Sequence, residues 1–128
     1  MADGLVTLRS AFDPAETKAR LLAVLKEKGV AVIADIDHAK AAANAGMTLR
    51  ATDLLIFGKA EGGTPLMQAA QIAGLDLPLR ALIWQDAAAH VWVSYNDPAY
   101  LAARHAISAD LAPNIAGIAP LIAGALRD

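Results

Sequence analysis

The stretch Leu79-Arg80-Ala81-Leu82-Ile83-Trp84-Gln85-Asp86-Ala87-Ala88-Ala89-His90-Val91-Trp92-Val93-Ser94-Tyr95-Asn96 decides the fold. Its arms, 79–85 and 91–96, carry the β-branched residues Ile83, Val91 and Val93 and the aromatic residues Trp84, Trp92 and Tyr95, and the short segment Asp86–His90 joins them. In the second arm Val91, Val93 and Tyr95 alternate with Trp92, Ser94 and Asn96, the period of a strand with unlike faces. A connection this short joins neighbouring strands as an antiparallel hairpin, not through a parallel crossover. Trp84 and Trp92 stand one on each arm, where aromatic pairs stabilise a sheet across strands. Tyr95 faces the core with Val91 and Val93, and its hydroxyl seeks a partner. The opposite face, with Trp92, Ser94 and Asn96, is open or lines a pocket.

Upstream, Leu5–Ser10 forms a short first strand. Asp13-Pro14 is an N-cap followed by proline at the first helical position, and Glu16 completes capping-box spacing. That helix runs to about Lys28, carries Leu21, Leu22 and Leu25 on its apolar face, and ends at Gly29. Val30–Asp37 is a strand with Val30, Val32, Ala34 and Ile36 on one face and Ala31, Ile33, Asp35 and Asp37 on the other. An alanine-rich short helix follows from His38 and closes at Gly46. Asp53–Gly58 reads as a buried strand. Glu61-Gly62-Gly63 reads as a loop, with Thr64 the N-cap and Pro65 the first residue of a helix through about Ala73. After the hairpin, Asp97-Pro98 repeats the cap-plus-proline device for a helix to about Ala106. A last helical region, Asp110–Arg127, is broken or restarted at Pro113 and Pro120. Only the first crossover suits a parallel pair. The order strand, helix, four strands, helix predicts an α+β domain, a curved, mostly antiparallel sheet with helices on one face.

Composition bounds the function. The 128 residues are the length of one domain, 1–128. The 56% hydrophobic content contains 31 alanines and only six aromatic residues, so Leu, Ile and Val must build the core. With no cysteine and a formal charge of -2, a disulfide scaffold, a zinc ribbon, a thiol nucleophile and a basic nucleic-acid module are excluded. Met1–Ser10 contains Asp3 and no apolar run, unlike a signal peptide. The uncharged stretch Leu111–Leu126 is shorter than a bilayer span and holds two prolines, which makes it a buried helix or subunit contact. A cytoplasmic location is the expectation.

A set of motifs in fixed order carries a resemblance. They are Asp37-His38; Leu54-Leu55-Ile56-Phe57-Gly58; Gly63-Thr64-Pro65-Leu66-Met67; Asp76-Leu77-Pro78-Leu79-Arg80; and Tyr95-Asn96-Asp97-Pro98 with Tyr100-Leu101 and Arg104-His105. Together they resemble the domain of unknown function 302 family, small bacterial and archaeal proteins, over about residues 5–127. The resemblance implies a fold similar to one half of the TATA-box-binding protein, and a homodimer. It implies no activity. Members of that family often carry Asn-Pro where this chain has Lys59-Ala60, and a glycine in the turn that here reads Ala87-Ala88-Ala89.

Candidate site residues are few. His38 follows Asp35 and Asp37 at a strand end, where a carboxylate can hold an imidazole as general base or ligand. The plain alternative is that Asp37 caps the short helix and His38 is its exposed first residue. Arg104 and His105 lie late in a helix, where the macrodipole favours cations. Their functional reading joins His105 to His38 across the fold. Gly62-Gly63-Thr64-Pro65 could present N–H groups to an anion, but lacks the lysine and spacing of a P-loop. Met47 and Met67 are packing residues, and His90 opens a strand beside a turn. No nucleophile elbow, HxxxH or HExxH pattern occurs, and the scattered histidines His38, His90 and His105 leave a zinc site open without supporting one, so no metal or cofactor is assigned.

The sequence therefore favours a dimeric small-molecule- or partner-binding domain with a pocket near Asp37-His38, and with His38, Thr64, Arg104 and His105 as ligand contacts. The alternative is a small enzyme using His38 and Asp37, with His105, for acid/base or hydrolytic chemistry. Nucleic-acid binding is disfavoured because the predicted sheet faces carry almost no cations. No membrane association is expected.

Overall fold

Five antiparallel strands form one open sheet in the order β1-β5-β4-β3-β2. They are β1 (Leu5–Arg9), β2 (Ala31–Asp37), β3 (Thr52–Gly58), β4 (Leu79–Gln85) and β5 (Val91–Asn96). The computed structural model describes residues 3–127; Met1, Ala2 and Asp128, the ends of the expected 1–128 domain, lie outside the described residues. The hairpin forms as read, with Trp84 directly opposite Trp92. The first crossover, expected to suit a parallel pair, instead carries the chain from one sheet edge to the other. β1 and β2 point the same way, but three strands lie between them.

Helix α1 (Pro14–Glu27) makes that crossing. Asp13 caps it, its Oδ1 accepting from Glu16 N at 2.8 Å, and Gly29 ends it at φ +69°. Thr17, Leu21 and Leu25 recur at helical spacing and are buried against the sheet. Ser10 and Thr17 satisfy each other's buried hydroxyls at 2.6 Å. Helix α6 (Ile118–Ala125) lies beside α1, and Arg20 of α1 donates to the Ala125 carbonyl from Nε at 2.8 Å. This contact satisfies one of the carbonyls that every helix C-terminus leaves open. The main core joins Leu21, Leu25, Leu55, Phe57, Ile83, Val93 and Ile122. A second cluster, Leu66, Leu101 and Ile115, ties together α3 (Ala60–Ala69), α4 (Pro98–Arg104) and α5 (Pro113–Ala116).

Two local expectations are corrected. Strand β2 does not alternate throughout: a bulge between Val32 and Ala34 leaves Ile33 62% exposed. Val32 and Asp35 then share the face of Phe57 and Leu55, and Ala34 and Ile36 take the other. Helix α3 begins at Ala60, so Thr64 is no N-cap; it is an exposed residue inside the helix, and Lys59 occupies the cap. Gly62 and Gly63, read as loop, donate to the Lys59 carbonyl and make the first turn. Tertiary contact overrides their weak propensity: Asn114 Nδ2 donates to Gly62 O at 3.2 Å, and a Cβ on Gly62 would sit 3.2 Å from Asn114 O.

Candidate functional site

Three places hold the residues singled out by sequence. At the first, Asp37 is the N-cap of α2 (His38–Asn44), its Oδ1 accepting from Lys40 N at 2.8 Å. His38 is the exposed first residue of that helix. The capping alternative describes the geometry there. Nearby, Lys18 bridges to Asp35 at 2.7 Å, and that bond holds the Lys18 ammonium above its ordinary pKa. Asp53, opposite Asp37 in the sheet, has its pKa raised, chiefly by burial and further by Asp37 and Asp35, against the pull of Lys18. Among the described residues no three His, Asp or Glu side chains are grouped to hold a metal ion.

At the second place, Arg104 and His105 converge on Asp76. His105 Nε2 lies 2.6 Å from Asp76 Oδ2, and Arg104 donates to both carboxylate oxygens at 3.3 and 3.0 Å. Asp76 belongs to the Asp76-Leu77-Pro78-Leu79-Arg80 motif, but sequence reasoning assigned it no role. The expected partner, His38, is elsewhere. Asp37 pairs with Asp53 at one end of β3, and Leu79 with Phe57 at the other. Four residues of strand separate those levels by about 13 Å; His38 follows the first level, and Asp76, the partner of His105, precedes the second. His105 takes its hydrogen bond from a carboxylate in the segment before β4 and not from His38.

The third place was not foreseen. A cavity of about 530 Å³ opens at the end of the sheet where β2 and β4 begin and β3 ends. Phe57 and Leu79 form its floor, Gly62 and Gly63 of α3 one side, and Ile115, Ile118 and Leu121 of α5 and α6 another. Lys28 and Lys59 stand at it, both exposed. Val30 lines the cavity at the start of β2, whereas His38 follows the end of that strand, about 20 Å away. Asp37 and His38, beside which a pocket was expected, do not line this cavity. Its lining comes from short segments far apart in the chain; three of the quoted motifs contribute, through Phe57-Gly58, Gly63 and Leu77-Pro78-Leu79, but none of those residues was read as a site residue. None of His38, Thr64, Arg104 and His105 lines it, although Leu77 and Pro78, next to Asp76, do.

The sheet face turned away from α1 carries Leu5, Thr7, Trp92, Ser94, Leu82, Trp84, Leu54, Ile56 and Ile36. The tryptophan rings are stacked, with centroids 6.3 Å apart. Ser94 Oγ accepts from Trp84 Nε1 at 2.9 Å and meets Thr7 Oγ1 at the same distance. Trp92 Nε1 donates to Asp86 Oδ2 at 2.9 Å, and the Arg9 guanidinium lies 5.5 Å from the Trp92 ring centre. A shallower cavity of about 360 Å³ lies over these groups.

Comparison with known proteins places these features. The family model described as "Domain of unknown function DUF302" matches residues 6–124. A crystal structure of an uncharacterized conserved protein of that family from Bacillus stearothermophilus superposes with a TM-score of 0.80. That match is at 18% identity and covers 98% of this chain and 97% of that one. Among curated proteins, the chain is 47% identical over 111 residues to a protein of Brucella suis named fluoride-specific ion channel FluC 1, and equally to one of Brucella abortus. The match covers 85% of this chain but 44% and 41% of those proteins, so the chain spans less than half their length. No helix among the described residues is long and apolar enough to cross a membrane.

Proposed function

We propose that this chain, which belongs to the domain of unknown function 302 family, is a small-molecule-binding domain that works as a homodimer, with its ligand in the cavity between β3, α3 and α5. The observation that carries the reading is the cavity itself. At about 530 Å³ it falls within the range of small-molecule sites, and its walls are apolar with few polar groups, as such sites are. Gly117 provides the test. It lines the cavity, its φ of -63° suits any residue, and a Cβ there would meet nothing within 4 Å. Gly117→Leu should fold normally and abolish binding of an apolar fluorophore such as anilinonaphthalene sulfonate. Unchanged fluorescence enhancement in that variant contradicts the assignment.

The dimer is supported by the open sheet face. Five strands spaced about 4.8 Å apart and 5–7 residues long give a footprint of about 500 Å² before side-chain relief. That approaches what one partner contributes to the smaller specific interfaces. A second copy is the fitting occupant because the patch is predominantly apolar, with Arg9 and Arg80 as its cations. Ile56→Glu with Leu82→Glu should convert a dimer into a folded monomer in sedimentation; a monomeric wild type at micromolar concentration rejects this part.

One observation favours a second reading, acid/base chemistry by a histidine. The Asp76–His105 pair has the geometry of a carboxylate orienting an imidazole. This moves the enzymatic alternative from Asp37 and His38 to Asp76 and His105. Turnover of any ester or amide substrate that His105→Gln abolishes, with the fold intact, would support it over simple binding.

The Brucella relatives suggest a setting. Their matched portion corresponds to a chain in which no helix among the described residues is long and apolar enough to cross a membrane, so ion conduction is assigned to their remaining length, and the shared domain to an accessory role beside it. Millimolar fluoride should leave the melting temperature of this chain where chloride leaves it. A fluoride-specific shift would place anion handling in this domain instead.

A further inference from the structure

We propose that the cavity takes an anionic amphiphile, a carboxylate on an aliphatic chain of medium length, its chain along the apolar walls and its carboxylate at Lys28 and Lys59. This rests on the small-molecule reading above and names the ligand class. The walls select hydrocarbon: Phe57, Leu79, Ile115, Ile118 and Leu121 present no hydrogen-bonding group from their side chains. The rim selects charge. Among the described residues, Lys28 and Lys59 are the only ionisable ones that line the cavity, and no acidic one lines it. Glu61, close in sequence, is exposed and outside the lining.

The two lysines come from separate elements. Lys28 caps the C-terminus of α1 and Lys59 precedes α3. Lys59 lies along the Lys28-Gly29 turn, its Cε 3.9 Å from the position a Gly29 Cβ would occupy. Neither ammonium is within ion-pair distance of a carboxylate among the described residues. The chain as a whole is net acidic, so this pairing of free cations is local rather than part of a general basic surface.

Lys59 also sits where a cation is least expected. The N-cap position favours Asp, Asn, Ser or Thr, and the macrodipole there favours negative charge; Lys59 supplies neither a side-chain cap nor a negative group. An anion held by Lys59 reverses that mismatch. A neutral hydrocarbon would leave the rim unused, and inorganic phosphate would leave the walls unused. A carboxylate with an aliphatic tail engages both.

Calorimetric titration with decanoate and decylammonium below their micelle-forming concentrations, and decanol below its solubility limit, tests this on the wild type and on the Lys28→Gln/Lys59→Gln variant. Decanoate should bind the wild type at least tenfold more tightly than decanol, with decylammonium weakest. The variant should lose about tenfold for decanoate and none for decanol, and Gly117→Leu should lose both. Both lysines are exposed, and a melting curve for each variant verifies folding. If decanol matches decanoate, or if the double variant keeps its decanoate affinity, the charge assignment is wrong while the cavity stands as a binding site. If none of the three binds the wild type, the cavity reading falls and this inference with it.

Discussion

His105 Nε2 and Asp76 Oδ2 lie 2.6 Å apart, with the two side chains only 7% and 11% exposed. The contact fastens the end of α4 to the segment entering β4, and Leu77 and Pro78, the next two residues, form part of the cavity wall. Removing the carboxylate would leave a mostly buried imidazole without its partner. Asp76→Ala should therefore destabilise by about 1–3 kcal/mol in urea unfolding. Arg104→Ala should change stability by about 1 kcal/mol or less, because that side chain is 48% exposed. A double-mutant cycle of Asp76→Ala with His105→Ala should be clearly non-additive; additive effects would mean the pair is not coupled.

Asp86 holds the hairpin turn. Its Oδ1 accepts from Ala88 N and His90 N, and its Oδ2 from Trp92 Nε1, each at 2.9 Å. The Trp92 indole, then the His90 and Ala88 amides, hold its carboxyl below the ordinary aspartate value of 3.8. A pKa lowered on folding contributes stability above the unfolded value, and that stability is lost as pH falls through the folded value. Urea midpoints measured from pH 7 down to 2.5 should fall more steeply below pH 4 for wild type than for Asp86→Asn. Parallel curves would remove Asp86 from the acid response.

The same turn contains Ala89 at φ +66°, in the left-handed region. An alanine there costs about 1–2 kcal/mol of steric strain, while glycine gives back part of that through greater freedom when unfolded. Ala89→Gly should accordingly stabilise by about 0.5–1 kcal/mol, read as a higher melting temperature. A loss of stability would show that the turn gains more from a restricted residue than it loses to strain.

Much of the fold was legible because its signals are local. The alternation in Val91–Asn96, the Asp13-Pro14 and Asp97-Pro98 caps and Gly29 each determine structure within a few residues. The bulge at Ile33 was not legible, because the β-branched run around it has no glycine or proline to mark a break. Gly62-Gly63 misled, since two glycines before Thr64-Pro65 resemble a loop until Asn114 packs against them. The site was less accessible still. Arg104 and His105 were singled out, but their shared partner Asp76 lies 28 residues from Arg104, within a motif dominated by its leucines and proline. The cavity depends on Val30, Phe57, Leu79 and Ile118 converging, and each alone is an ordinary core residue.

On the function proposed above, small molecules enter at the β3–α3–α5 cavity and not beside His38. Amide nitrogen–proton spectra recorded during a decanoate titration test it most directly, because four of the lining residues are glycines, Gly58, Gly62, Gly63 and Gly117. Those amides and that of Ile118 should shift together and saturate, while His38, Lys40 and Asp53 remain in place. Shifts centred on Asp37–Lys40, or a spectrum unchanged throughout, would contradict it.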